Sequence, residues 1–350
     1  MRVVVIGGGV MGCASALELA RRGVRDVIVL ERAVPGAEAS SAAAGMLAAQ
    51  VEAGDRAELE RYAAARAKYE AWAMELREAT GIDIGHRRSG ILETARDEAM
   101  LAAMRERVAL QRSIGLRAEV VDGQAARAIE PELAPGFAGA AFYEDEAQVD
   151  PPQLLRALVT AASRAGVVLR SGTTVSSIVH EAGRCTGVAL DGREVLGADA
   201  VVLAAGSWSS LVPGVPLEVP KVRPIRGQLV MLEERPPRLS RIVFANHTYV
   251  VPRGDGRVVC GSTTEDVGHR REVTAGGVHG ILSAAFAIAP GLARAELGRA
   301  WCNFRPQSTD GGPLVGRSPV EGLFLATGHY RNGILLAKVT AEEVARDVVG

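Results

Sequence analysis

Arg305 and Arg331 are the residues of this sequence best suited to hold an anion. Arg305 lies in W-C-N-F-R-P-Q-S-T-D-G-G-P-L-V-G, residues 301–316, among apolar neighbours where an arginine must be paired or solvated. Pro306 after it demands extended backbone, and D-G-G-P then turns the chain. Arg331 lies in G-H-Y-R-N-G-I-L-L-A, residues 328–337, between Gly328 and Gly333 and just before an apolar, helix-like run. Such glycines let a backbone come close to a ligand. Taken alone, either arginine reads equally well as half of a structural ion pair. Tyr249, in H-T-Y-V-V-P-R, adds a phenol at a strand edge, where plain packing is the simpler account.

A second signal opens the chain. Gly7-x-Gly9-x-x-Gly12 follows an apolar run and enters a helix, and Glu31 stands at the end of the next apolar run. These glycines suit a tight turn, close approach to a pyrophosphate and close helix–strand packing, with the acid on a ribose hydroxyl. The pattern predicts a dinucleotide but does not separate NAD from FAD. Two further stretches have the small residues that pass near a flat group: S-S-A-A-A-G-M-L at 40–47 and A-D-A-V-V-L-A-A-G-S-W-S at 198–209. A helix contact and a plain turn are their bland readings, and Val175 reads as core by spacing.

The elements that must position these residues follow from periodicity. Residues 2–6, a helix closed by Gly23 and residues 27–31 make a β-α-β unit. Residues 55–80 and 96–113 have helical spacing with Gly81 and Gly115 as stops, and 152–206 again reads α/β. From about 219 to 264 the chain is strand-rich, split by turn signals such as G-D-G. The pattern predicts an α/β nucleotide-binding domain made of separated segments, with a mixed sheet/helix domain inserted twice.

Bulk properties exclude several classes. A net charge of −1 over 350 residues gives no basic field for nucleic acid. The cysteines Cys13, Cys185, Cys260 and Cys302 form no metal or disulfide pattern, so no metal is expected and a reducing compartment fits. The longest uncharged runs are too short for a membrane span, and a strand starting at residue 2 leaves no room for a secretory signal. A cytoplasmic location is expected.

The strings G-G-G-V-M-G, V-L-E-R, A-S-S-A-A-A-G-M-L, V-L-A-A-G-S-W-S, Y-V-V-P-R, F-R-P-Q-S-T-D-G-G-P and G-H-Y-R-N-G-I-L-L-A occur here in one order. In that order the chain resembles FAD-dependent enzymes of the D-amino-acid-oxidase family over nearly its whole length. Its nearest resemblance is to the glycine-oxidising branch that feeds thiazole (thiamine) synthesis. The resemblance implies a Rossmann-type FAD-binding domain at 1–50, 146–215 and 306–350, and a substrate-binding domain at 51–145 and 216–305.

It also implies noncovalent FAD, with Gly7, Gly9, Val10, Met11 and Gly12 at the pyrophosphate and Glu31 and Arg32 at the adenosine ribose. Ala39, Ser40, Ser41, Ala44, Gly45, Met46, Gly206 and Trp208 would line the cofactor, and Val175 would meet the adenine. His329, Tyr330, Arg331, Asn332, Gly333, Ile334 and Leu335 would wrap the isoalloxazine. Arg305 would clamp a substrate carboxylate, with Tyr249 and Arg331 beside it. The implied partners are a small amino acid and dioxygen, in a homo-oligomer. Cys302, two residues before Phe304, is reminiscent of the cysteine that monomeric sarcosine oxidases link to flavin. Thr264 stands where relatives carry a bulkier residue and is expected to alter pocket size.

Overall fold

The computed structural model describes residues 1–191 and 194–350. Its N-terminal unit is the strand Arg2–Ile6, the helix Val10–Arg21 and the strand Asp26–Leu30. The two strands pair in parallel with Val3 opposite Val27 and Val5 opposite Val29. They lie inside a six-stranded sheet, flanked by Ala200–Leu203 and Val168–Arg170, with Leu323–Thr327 and Leu314–Arg317 beyond. Only the outer strand Leu314–Arg317 runs antiparallel.

Both faces of this sheet are covered, so its strands are continuous apolar runs rather than alternating ones. Val3 and Val5 pack toward the helices Val10–Arg21, Pro151–Arg164 and Gly333–Val349. Val4 and Ile6 pack the other way, against Ile178, Val188 and Leu196 of a three-stranded antiparallel sheet.

The second sheet has eight strands in the order Glu296–Ser308, Val222–Glu233, Arg257–Gly261, Thr248–Pro252, Ile242–Ala245, Ile91–Ala95, Gly139–Tyr143 and Glu119–Asp122. It is antiparallel apart from the pairing of Ile242–Ala245 with Ile91–Ala95. The hairpin that carries Tyr249 turns through Asn246 (φ 45°) and His247 (φ 70°). Positive φ at both central residues matches the right-handed twist of paired strands. The helix Ala275–Ile288 covers one face, while Ala44 and Ala48 pack against the other. The expected α/β architecture with a second mixed sheet is therefore present.

The helical zone at 55–80 is two helices, Arg56–Ala67 and Tyr69–Thr80, broken at Lys68. Tyr62, Tyr69, Trp72 and Leu76 from the pair enter the core of the first sheet. The Tyr69 hydroxyl donates to the Ile334 carbonyl at the start of the C-terminal helix. The two sheets are stitched where Tyr330 N donates to Pro306 O at 2.8 Å. Residues 306–308 belong to the long edge strand of the second sheet, the position in a sheet where proline is tolerated. No helix among the described residues is long and apolar enough to cross a membrane.

Candidate functional site

A single elongated cavity runs from the first β-α turn, between the sheets, to the edge strand carrying Arg305. Gly7 (φ +109°) forms one end, and a Cβ there would stand 2.5 Å from the Ala204 carbonyl oxygen. Gly9 caps the helix Val10–Arg21 without any side-chain hydrogen bond of its own, and Gly9, Val10 and Met11 line the cavity. Val10 N is taken by Ser40 Oγ at 2.9 Å. The Glu31 carboxylate accepts from Gly8 N and Ala33 N, both at 2.9 Å, which fixes the turn on either side of it.

The middle of the cavity is flat and apolar. Ala39, Ala43, Ala44, Gly45, Ala204, Ala205 and Ala326 contribute, with Met11, Met46, Val175 and Gly206. The turn at Gly45 has φ +77°, and a Cβ there would lie 2.8 Å from Pro151 Cδ. Arg253 holds this turn from behind, donating to Ala44 O and, at 2.7 Å, to Val149 O. Trp208 is sandwiched, with the Arg32 guanidinium 3.8 Å from its centroid and the His269 ring stacked at 3.8 Å. Arg32 is itself paired with Glu38 at 2.6 Å.

The second helix start in the cavity wall is that of Gly333–Val349. Tyr330 adopts φ +49°, Asn332 supplies no side-chain cap, and Gly333 and Ile334 meet the cavity. The uncapped N–H groups give this end a partial positive charge. His329 lies beside it, its Nε2 2.9 Å from Thr340 Oγ1. Burial, with a smaller effect of Arg61, pushes the His329 imidazole down to about 3, so it is neutral near pH 7.

At the far end Arg305 Nη2 donates to Ser262 Oγ at 2.7 Å and Nη1 to Thr263 O at 3.1 Å. It has no acidic partner among the described residues. Its guanidinium crosses Gly227, and Tyr249 lies on the same wall. Arg331 also reaches this wall, but Nε and Nη2 both donate to Glu52, at 2.8 and 2.7 Å. Burial would lower the Arg331 pKa, and the Glu52 contacts outweigh it to raise it.

The sequence-predicted residues Gly7, Gly9, Val10, Met11, Glu31, Arg32, Ala39, Ser40, Ala44, Gly45, Met46, Val175, Gly206, Trp208, Tyr249, Arg305 and His329 through Ile334 all line this one cavity. Three others stand behind its wall. A Cβ on Gly12 would run into the Gly7 carbonyl oxygen, so this glycine serves helix–strand packing. Ser41 faces Gly36, away from the cavity, and the Leu335 side chain is 1% exposed in the helix core.

Arg331 lines the cavity as a paired cation and not a free one, since its Nε and Nη2 both donate to Glu52. Ser262, not Thr264, makes the wall near Arg305. Cys302 lies outside the wall, and burial raises its thiol pKa. Glu52, Gly227, Ser262 and Asn303 were missed. Glu52 follows the small-residue stretch by less than two helical turns, the one local hint of its position.

The donor set fits a long dinucleotide cofactor. Two helix starts meet one apolar slot, neither with a side-chain bond from its own N-cap residue, and the buried Trp208 Nε1 and His329 Nδ1 in its wall have no hydrogen-bond partner among the described residues. Among the described residues no group of three or more His, Cys, Asp or Glu could hold a metal ion.

The family described as "FAD dependent oxidoreductase" matches residues 2–346. A glycine oxidase of Geobacillus kaustophilus is 39% identical over 349 residues, covering 98% of this chain and 91% of that protein. A bifunctional protein ThiO/ThiG of Trichormus variabilis is 35% identical over 354 residues, covering 99% of this chain and 52% of that longer protein. The crystal structure of the Geobacillus kaustophilus glycine oxidase superimposes with a TM-score of 0.93 at 38% identity, covering 99% of this chain and 94% of that one.

Proposed function

The chain belongs to the FAD-dependent oxidoreductase family, and from that premise we propose that it oxidises glycine and other small amino acids to their imines. FAD, when bound, would supply the acceptor for the substrate Cα hydride, which carries both electrons, and dioxygen would take those two electrons with two protons to give hydrogen peroxide. The observation that carries this reading is Arg305, a cation without an acidic partner among the described residues at the far end of the cofactor slot.

The residues divide the work. N–H groups at Gly9 and Met11 hold the diphosphate, and Glu31, both of whose oxygens keep a spare lone pair, accepts from the ribose. The helix start at Gly333–Ile334 stabilises negative charge at the flavin end. Arg305 clamps the substrate carboxylate bidentately beside Tyr249, which orients the Cα–H toward the slot. The substrate amine enters the reaction neutral, having given its proton to solvent, so positioning is the main task.

Functionally we divide the chain into FAD-holding segments 1–50, 146–215 and 306–350 and substrate-holding segments 51–145 and 216–305. The distribution of strands between the two sheets supports the division apart from residues 306–308, whereas the helices Arg56–Ala67 and Tyr69–Thr80 pack in the core of the first sheet and depart from it. We also assign the protein to the cytoplasm as a homo-oligomer. Its imine product either hydrolyses to glyoxylate or enters thiazole assembly. The bifunctional relative named ThiO/ThiG, about twice as long, joins a region like this chain to a second one.

The test mixes the flavin-loaded protein with glycine, sarcosine, D-alanine and D-proline under argon and under air. Bleaching of the flavin band under argon with peroxide formed in air is expected, strongest with glycine. Bleaching without peroxide would replace the oxidase with a dehydrogenase, and no bleaching would end the amino-acid reading.

A further inference from the structure

We propose that Glu52 sets the substrate class of this site: amines with a single carboxylate are taken and dicarboxylic amines are rejected. The inference rests on the amino-acid-oxidase reading and adds a charge rule to it. Two arginines reach the substrate end, yet they are not equivalent. Both Glu52 oxygens are hydrogen-bonded to Arg331, at 2.8 and 2.7 Å, in a pair whose side chains are only 13% and 20% exposed. That pair is internally neutral. Arg305 donates to neutral groups alone, Ser262 Oγ and the Thr263 carbonyl, and keeps its full positive charge.

The net charge offered to a ligand is therefore that of one guanidinium, which one carboxylate cancels. A second carboxylate would enter a part-buried space where the second cation, Arg331, is already neutralised by Glu52. An unpaired buried charge is strongly unfavourable, so the second carboxylate is excluded by electrostatics rather than by size.

Glu52 is also held in place rather than free to swing away. It ends the short helix Ala49–Glu52, whose Gln50 N donates to the fully buried Glu146 at 2.9 Å. The Gln50 side-chain amide also donates to Gln111 Oε1, and Gln111 Nε2 donates back to the Gln50 backbone carbonyl, both at 3.0 Å. The carboxylate that occupies Arg331 is thus mounted on a rigid base, as a specificity element requires.

The test uses unreactive ligands on the FAD-loaded protein, acetate for one carboxylate and malonate for two, each titrated by the change in the flavin absorbance spectrum. The wild-type protein is expected to bind acetate at least tenfold more tightly than malonate. Glu52→Gln, which leaves Arg331 charged but released, is expected to shift the acetate-to-malonate ratio at least tenfold toward malonate. Glu52→Asp should restore the wild-type preference, and Glu52→Gln combined with Arg331→Leu should lose the gain, neither of which follows from a merely structural role. A wild-type protein that binds malonate as tightly as acetate overturns the proposal without any variant. An unchanged ratio in Glu52→Gln overturns it as well. The underlying oxidase reading fails separately, if glycine does not reduce the flavin.

Discussion

The guanidinium of Arg305 lies across Gly227, close enough that a Cβ at position 227 would stand 2.6 Å from its Cζ. The two residues are on neighbouring strands, where Ile225 pairs with Arg305 and Gly227 with Asn303. Glycine at 227 is thus the condition for the arginine to lie flat along the cavity floor. Gly227→Ala should push the guanidinium out of line, with a strain of about 1–3 kcal/mol. Steady-state kinetics should show a raised KM for glycine while the flavin content of the purified protein is unchanged. An unaltered KM would mean that Arg305 does not use this floor.

The glycines of the first turn separate by role. Gly12 faces the Gly7 carbonyl so tightly that no side chain fits. Gly12→Ala should force the helix Val10–Arg21 off the strand Arg2–Ile6 and lose FAD, although residue 12 does not touch the cavity. The ratio of flavin to protein absorbance after purification measures this. Full flavin loading would contradict the packing role.

His269 comes from the loop after the strand Arg257–Gly261 and stacks on Trp208 of the cofactor wall. An aromatic pair of this kind contributes about 0.5–1.5 kcal/mol. His269→Ala should speed FAD release about two- to tenfold, followed as recovery of free-flavin fluorescence after dilution. An unchanged release rate would show that the stack does not retain the cofactor.

The pH dependence of stability has a defined sign at His329. Its folded pKa is pushed down to about 3, from an ordinary value of 6.5. Between those values the unfolded chain binds a proton that the folded chain does not. The penalty is absent above pH 6.5 and grows as pH falls toward 3, by at most about 1.4 kcal/mol per pH unit. His329→Gln keeps a polar partner for Thr340 and should flatten the acid limb of a plot of urea midpoint against pH. An identical limb in both proteins would place the charge change elsewhere.

Much of the cofactor end was legible in the sequence because it is local. Strand, glycine turn, helix and Glu31 lie within 31 residues, and the structure closes them on one another. Along 328–337 the glycine and helix start were equally readable. What could not be read was the partner of each arginine. Glu52 and Arg331 are 279 positions apart, and nothing in either stretch specifies the other. Arg331 was therefore expected at the substrate, and only the fold shows it spent on Glu52. Gly227 is similar: one of 40 glycines, marked out only by the residue on the neighbouring strand. The break at Lys68 escaped periodicity because helical spacing persists through it.

The central claim is that Arg305 holds a substrate carboxylate over the cofactor slot. It is tested most directly by titrating glycine against the rate of flavin reduction, without oxygen, in the wild-type protein and in Arg305→Ala. Loss of a charge-assisted contact in a part-buried site costs about 2–5 kcal/mol. The variant should bind FAD normally and show an apparent Kd for glycine raised about thirtyfold or more. Equal Kd values in the two proteins would contradict the account.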